Sequence, residues 1–200
     1  KIGYPCINTS IPREASSTFR LASYSEDRLI EVVNNNLNHL EKILKYNVKN
    51  NLLFFRISSD LVPFASHPVC EFDWQDHFAQ RFKTLGNYIK KERIRISMHP
   101  DQFVLLNSPK SVIVANSVKD LIYHSTILDL IGLDSTAKIQ IHVGGVYGDK
   151  INAIKTFEKN YKILLSQSIK NRLVIENDDG LYDVDDCLRI HSNTDVPILF

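Results

Sequence analysis

Short apolar segments alternate with longer amphipathic segments along the whole chain, and this alternation restricts the fold more than any other feature of the sequence. The apolar segments are rich in isoleucine, leucine, valine and phenylalanine and have the length of strands. Strands that alternate with helical segments favour a parallel sheet built from βαβ units. We predict six strands: Ile2–Cys6, Leu52–Ile57, the segment from Arg93 to His99, Lys138–Ile141, Arg172–Ile175, and one that begins within the final DVPILF.

The intervening segments predict helices, because their apolar residues recur every three or four positions. Ile30 is predicted on the inward face of the first helix. The predicted helices are Glu26–Tyr46, Asp73–Lys91, Ser111–Leu130, a segment that buries Ile151, Ile154, Phe157, Tyr161 and Leu164, and a shorter one around Val184–His191.

The turn after the first strand helps to decide between two α/β folds. A dinucleotide-binding sheet carries a glycine-rich phosphate turn there, whereas this chain has CINTS and no GxGxxG. Polar residues instead follow several successive strands, which is typical of a (β/α)8 TIM barrel. We therefore predict a single TIM-barrel domain over residues 1–200 that covers about the first six βα units. Because such a barrel takes about 250 residues, we expect a fragment truncated at the sixth strand.

Composition narrows the class of protein. A hydrophobic content of 44% supports one sizeable core, and no apolar run of about 18 residues occurs, so we expect no membrane span. The start, KIGYPCINTS, does not resemble a signal peptide, and three scattered cysteines indicate reduced thiols. We therefore predict a cytoplasmic protein, or a nuclear one in a eukaryote. The net charge of +1 is weak, so nucleic-acid binding would require a local patch.

Three polar side chains stand where three successive strands end. Pro100 stops ladder pairing, so the third strand ends at or just after His99. The segments KIQIHVGG and RLVIENDDG place His142 and Glu176 at equivalent positions. The carboxyl ends of parallel strands lie side by side, and two imidazoles with a carboxylate bind a divalent metal. We predict a metal site formed by His99, His142 and Glu176.

Each of these residues also has a simpler interpretation. A single histidine after a strand is usually satisfied by a backbone carbonyl, and Glu176 could form a salt bridge with a lysine or an arginine. The metal site is favoured because Val174 and Ile175 carry Glu176 to the edge of a core, where an unpaired charge is costly. His67, several residues beyond the second strand, is a further candidate at the same face.

The sequence GGVYGDK lies between His142 and a predicted helix. Its glycines allow the backbone to approach a ligand, and a helix start favours phosphate oxygens. The alternative is a plain loop in which Asp149 caps the helix. We interpret Asp178 and Asp179 first as turn and capping residues and only second as ligands. From loop position, the candidate phosphate contacts are Arg13, Arg20, Lys110 and Lys150.

Six segments spread in order over the whole chain are GYPCINTS, RISSDLVPFASHP, SMHPDQF, IHVGGVYGDK, VIENDD and PILF. Together they resemble the ultraviolet damage endonuclease family. The resemblance implies a TIM barrel related to endonuclease IV that nicks DNA 5′ to pyrimidine dimers and (6-4) photoproducts, and at abasic sites. It also implies a cluster of up to three divalent metal ions, typically manganese, a role in DNA excision repair, and double-stranded DNA with UV lesions as the partner of a monomeric enzyme. Family chains extend beyond Phe200.

The resemblance assigns roles near the metal. It implies ligation by His99, His142 and Glu176, with the carboxylate bridging two ions and therefore catalytic. His67 matches a family histidine that assists catalysis. Hydrolysis of a phosphodiester by a metal-activated water follows from this arrangement.

The resemblance also assigns DNA contacts. Tyr4 and Asn8 match residues near the damaged strand, and Gln102 and Phe103 match the pair that inserts into the duplex and probes the lesion. The family commonly has tyrosine where this chain has Phe103, so the flat ring is kept and the phenol hydrogen bond is lost.

The sequence is also compatible with two other functions. The same barrel and the same ligand types serve metal-dependent sugar isomerases and epimerases. A DNA-damage-binding fragment without activity is the second alternative, because an unclosed barrel leaves strand edges exposed.

Overall fold

The computed structural model describes residues 1–12, 18–178 and 180–199 and divides the chain into two compact units. The described residues form six strands and six α-helices, which confirms the α/β class. A single barrel domain over the whole chain stays a prediction. The first unit comprises Lys1–Met98 and Thr126–Ala137, and the second comprises His99–Ser125 and Lys138–Phe200.

The first unit has a parallel sheet of three strands in sequence order. Gly3 pairs with Phe54, and Phe54 in turn pairs with Arg95. Buried Phe55, Ile57 and Ile96 line its core. Each strand is shorter than predicted. The elements are β1 (Gly3–Pro5), α1 (Glu26–Lys49), β2 (Phe54–Ile57), α2 (Trp74–Lys91) and β3 (Arg95–Met98).

Helices α1 and α2 begin at side chains that cap their free amides. The Ser25 hydroxyl accepts from the Arg28 amide, and the Asp73 carboxylate accepts from the Asp76 amide. The apolar residues that recur every three or four positions along α2 are all buried: Trp74, Phe78, Phe82, Leu85 and Ile89. The prediction for Ile30 was wrong in part: it is half-buried, because the inward face of α1 is centred on its neighbours and includes the fully buried Leu29.

Within the second unit, three parallel strands pair in sequence order. Ile139 pairs with Leu173, and Ile175 pairs with Ile198. Helix α3 (Ser111–Leu130) begins in this unit and has the bounds that its sequence predicts; its C-terminal end belongs to the first unit. The other elements are β4 (Lys138–His142), α4 (Lys150–Leu164), α5 (Gln167–Arg172), β5 (Leu173–Glu176), α6 (Val184–Thr194) and β6 (Ile198–Leu199).

The buried part of the apolar face of α4 is shorter than its periodicity suggests. Ile154, Phe157 and Tyr161 are buried as predicted, whereas Ile151 and Leu164 are exposed at its two ends, so their predicted burial was wrong. Both lie in terminal turns of the helix, where the rest of the core no longer covers them. Among the described residues, no helix has the length and apolar composition that crossing a membrane requires.

Candidate metal centre

His142 and Glu176 are the last residues of neighbouring parallel strands. β4 and β5 are paired so that the Cα atoms of His142 and Glu176 are partners in the register. The residues that precede them, Ile141 and Ile175, are buried and hold both strand ends in the core. Because the alternation of a strand directs consecutive side chains to opposite faces, the two polar side chains point to the same side of the sheet.

His99 completes the group directly after β3. Its Nε2 lies 2.9 Å from Oε1 of Glu176, and Nε2 of His142 lies 3.3 Å from the same oxygen. The two imidazole rings have centroids 5.4 Å apart. The ligand atoms of the three residues all lie within 4.8 Å of one another. The three side chains therefore lie together and could hold a metal ion; their role as ligands stays a prediction.

The hydrogen bonding of His99 orients its ring so that Nε2 faces the Glu176 carboxylate. Its Nδ1 lies 2.7 Å from the carbonyl oxygen of Pro100, which can only accept, so Nδ1 carries a proton. In a neutral ring Nε2 then presents a lone pair to the Glu176 carboxylate. Two acceptors at 2.9 Å repel unless a proton, on either the ring or the carboxyl group, or a metal ion lies between them.

The distances fit a shared divalent ion. Donors that each lie about 2.0–2.2 Å from one ion, at angles between about 90° and 109°, are separated by about 2.8–3.6 Å. The two distances to Glu176 Oε1, 2.9 Å and 3.3 Å, fall in this range. The carbonyl of Pro100 orients His99 in the way that second-layer acceptors orient metal-ligating histidines. The residues present therefore fit a metal site.

Asp178 serves a turn rather than the pocket. Its Oδ1 accepts from the backbone amides of Gly180, Leu181 and Tyr182. Burial alone would raise the pKa of Asp178, but these three donors and the nearby His142 outweigh it, so the pKa lies below its usual value. The interpretation of Asp178 as a turn residue is supported. Asp179 lies outside the described residues.

Two buried side chains hold the loop that follows His142, and we call them the Asn107–Tyr182 clamp. Nδ2 of Asn107 donates to the Gly145 carbonyl at 2.8 Å, and the Tyr182 hydroxyl donates to the same oxygen at 2.9 Å. Asn107 also donates to the Tyr182 oxygen at 3.2 Å. Burial raises the pKa of Tyr182 to about 12, so its phenol stays protonated and able to donate at neutral pH. Sequence analysis did not identify either residue.

Glycine is required at position 144 by the backbone conformation there and by the nearby side chain of Asn107. Its φ is +116°, and a Cβ there would lie 2.3 Å from Oδ1 of Asn107. We expect Gly144→Ala to lower the free energy of unfolding by about 2–5 kcal/mol, from backbone strain and overpacking together. Urea denaturation measures the change. Gly180→Ala is the control, since no atom within 4 Å opposes a Cβ at Gly180; equal stability of the two variants would contradict the close packing at Gly144.

The loop after His99 presents its predicted probe residues at a tight turn. The Val104 amide donates to the Asp101 carbonyl at 3.0 Å, which leaves Gln102 and Phe103 at the two central positions. Both are exposed, and Phe103 has 70% of its surface in contact with solvent. Beside them is a cavity of about 380 Å³ that is lined by His99, Pro100, Asp101, Gln102, Val104, Leu105, Ile141, His142, Gly144, Gly145, Tyr147 and Leu181.

The start of α4 is capped from within the chain. The Asp149 carboxylate accepts from the Asn152 amide at 3.0 Å, which confirms the capping interpretation of GGVYGDK. The Lys150 ammonium forms an ion pair with Asp186 and lies 5.5 Å from the centroid of the Tyr182 ring. A contact between Lys150 and DNA stays a prediction, and it would compete with this ion pair.

The remaining candidates belong to the first unit. The Tyr4 hydroxyl donates to Asn47 at 2.5 Å and accepts from the amide of Asn8. Burial raises the pKa of Tyr4, against the effect of these amide contacts. His67 is exposed, and its Nδ1 accepts from the Val69 amide at 3.1 Å. The roles of Tyr4, Asn8 and His67 stay predictions.

The candidate phosphate contacts are spread over the chain. Arg20 and Lys110 are exposed on loops. Arg13 lies outside the described residues. A contact of any of these side chains with DNA stays a prediction.

Comparisons with known proteins agree with one another. The profile of the family described as UV-endonuclease UvdE matches residues 1–200. A UV DNA damage endonuclease of Clostridium perfringens (strain 13 / Type A) is 42% identical over 200 residues, which are 100% of this chain and 48% of that protein. One of Bacillus cereus (strain Q1) is 41% identical over 175 residues, 88% of this chain and 55% of that protein. The chain thus spans about half the length of these relatives.

A solved structure confirms the class of fold. The structure described as "Crystal Structure of SacUVDE" is similar to this chain with a TM-score of 0.95 and 42% sequence identity. The similarity covers 100% of this chain and 68% of that one. The predicted TIM-barrel-like fold is therefore confirmed.

Proposed function

The chain belongs to the UV-endonuclease UvdE family. From this premise we propose that the protein is a metal-dependent DNA repair endonuclease. It nicks duplex DNA 5′ to pyrimidine dimers and (6-4) photoproducts, and at abasic sites. The observation that carries the metal dependence is the position of Glu176 Oε1, at 2.9 Å and 3.3 Å from two imidazole nitrogens. We further propose a monomeric, intracellular enzyme.

The chemistry divides between the bound ion and the side chains that hold it. A divalent ion, manganese by the family resemblance, supplies Lewis-acid activation of water and of the scissile phosphate. Glu176 contributes the negative charge that makes the pocket attractive to a cation. His99 and His142 contribute neutral nitrogen donors, and the Pro100 carbonyl keeps His99 in the orientation and tautomer that present Nε2 to the pocket. We propose that a cluster of up to three ions binds here.

His67 has a hydrogen-bonding state suited to assisting catalysis. Because the Val69 amide donates to Nδ1, the neutral ring carries its proton on Nε2. That N–H can donate to a phosphate oxygen or to a water. We propose this donor role for His67, together with contacts of Tyr4 and Asn8 to the damaged strand.

We propose that the enzyme recognises the distortion of damaged DNA rather than its base sequence. A damaged dinucleotide pairs and stacks poorly, so displacing it from the duplex costs less than displacing intact bases. Gln102 and Phe103 stand at the exposed centre of a turn, where they can fill the gap that is left. The weak net charge of +1 is consistent with recognition by local contacts.

A plasmid assay tests the proposed function. With Mn²⁺, full-length protein should nick supercoiled DNA that carries UV lesions at least about tenfold faster than undamaged plasmid, because easier base displacement favours the lesion by at least about 1.4 kcal/mol. EDTA should abolish the nicking, and Mn²⁺ should restore it.

The same preparation separates the alternatives. Conversion of ketoses without nicking would identify a sugar isomerase, and lesion binding without nicking would identify a non-catalytic damage-binding protein. Nicking that persists in EDTA would contradict the metal site.

A further inference from the structure

Tyr147 occupies an unusual position in the loop Gly144–Gly148. It is a bulky residue with φ of +50°, in the left-handed region that L-residues with large side chains rarely adopt. Its side chain is 48% exposed. It also lines the cavity that contains His99 and His142. A costly backbone and an exposed aromatic ring at the same residue, beside a candidate site, indicate a functional constraint.

The ring of Tyr147 lies against the backbone of Gly145. A Cβ at Gly145 would lie 2.9 Å from Cζ, 3.1 Å from Cε1 and 3.2 Å from the hydroxyl oxygen of Tyr147. The missing side chain at Gly145 therefore provides the space that the ring occupies. The hydroxyl end of the ring is therefore next to the backbone of Gly145, and about half of the residue remains exposed to solvent.

The Asn107–Tyr182 clamp keeps this support in place. Both of its side chains are buried and both donate to the Gly145 carbonyl. When an aromatic ring is already ordered before binding, the loss of conformational entropy on binding is smaller. The cavity beside the ring, about 380 Å³, falls within the range of about 300–1,000 Å³ of ligand pockets.

The walls of the cavity indicate the chemistry of its occupant. Apolar side chains line much of the cavity, and its polar groups include the imidazoles of His99 and His142 and the side chains of Asp101 and Gln102. A flat, partly polar ring suits such a space, since aromatic side chains stack on any base. In a protein that acts on DNA, a nucleobase displaced from the duplex has this shape.

We propose that Tyr147 is a stacking platform for a displaced nucleobase, and that the clamp and Gly145 hold its ring in place for this purpose. The inference rests on the proposed function. Phe103 has a different position, at the tip of its own turn, and would act inside the duplex. Tyr147 would act on the base that leaves the duplex.

Binding to two kinds of damaged duplex tests the proposal. Kd is measured by fluorescence anisotropy in EDTA, which prevents cleavage, for duplexes with one thymine dimer or with one tetrahydrofuran abasic site. Tyr147→Ala should weaken binding to dimer DNA about tenfold. Its binding to abasic DNA should stay unchanged, because that site has no base to stack. Tyr147→Phe keeps the ring and should bind both duplexes like the wild type.

Gly145→Ala provides a second test that keeps the tyrosine. Its Cβ displaces the ring, so dimer binding should weaken, whereas the same change in a Tyr147→Ala background should add nothing. Ile163→Ala, an exposed position outside the cavity, is the control. Equal dimer affinity of Tyr147→Ala and wild type, or equal losses on both duplexes, would overturn the inference. A wild-type protein that binds no damaged DNA would overturn the proposed function, and this inference with it.

Discussion

Replacing Glu176 by glutamine is expected to lower the rate of nicking at UV lesions by at least about 10³-fold, because a metal site supplies several kcal/mol of transition-state stabilisation. The amide has nearly the same shape as the carboxylate but no charge, and it is a far weaker ligand. The pocket would then hold two imidazoles at the present positions without the negative oxygen that lies 2.9 Å and 3.3 Å from them. Nicking of irradiated plasmid in Mn²⁺ measures the effect.

Metal binding is measured separately from activity. Titration of Mn²⁺ followed by electron paramagnetic resonance should show loss of the tight site in Glu176→Gln, and Mn²⁺ should no longer raise its Tm as it does for a protein that binds the ion in its folded state. Glu158→Gln is the matched control, since Glu158 lies on α4, where its carboxylate accepts from the Asn193 amide at 2.8 Å. A Glu176→Gln variant that nicks at the wild-type rate would remove Glu176 from the metal site.

Replacing Phe103 by alanine is expected to weaken binding to lesion-containing duplex about tenfold, since stacking of one base on an aromatic ring contributes about 1–3 kcal/mol. The ring is 70% exposed and stands on a turn whose flanking Pro100 and Val104 are buried. The turn therefore presents the ring without holding it in the core. Anisotropy with dimer duplex and with single-stranded DNA measures the loss.

The comparison with single strands isolates the wedge role of Phe103. A single strand has no base stack to open, so Phe103→Ala should change its affinity little, and Phe103→Tyr should retain the duplex affinity. Val112→Ala controls for loss of exposed apolar surface in the same unit. Equal losses on duplex and single strand would contradict insertion of Phe103 into the duplex.

Local rules in the sequence account for much of the fold. Pro100 stops ladder pairing, and β3 ends at Met98. Asp73 is a residue type that caps helices, and its side chain accepts from the Asp76 amide at the start of α2. The helix α5 (Gln167–Arg172) was missed, since six residues are too few for a periodic pattern. Its one local signal is Ser166, which caps the Ile169 amide.

Burial at the ends of elements was the weakest part of the prediction. Ile151 and Leu164 continue the apolar spacing of α4, yet both are exposed. Periodicity describes which face of a helix a residue occupies, and it contains no information on how far along that face the neighbouring elements extend.

Strand ends show most clearly what residue order alone can establish. His99, His142 and Glu176 are far apart in the chain, but each follows a short apolar strand, and parallel strands bring such ends together whatever the details of packing. The proximity of these three side chains was therefore predictable from the sequence. The Asn107–Tyr182 clamp and the position of Tyr147 were not, because no periodicity relates those residues. Their contacts depend on loops whose paths are set by side-chain packing and buried hydrogen bonds, which exist only once the chain has folded.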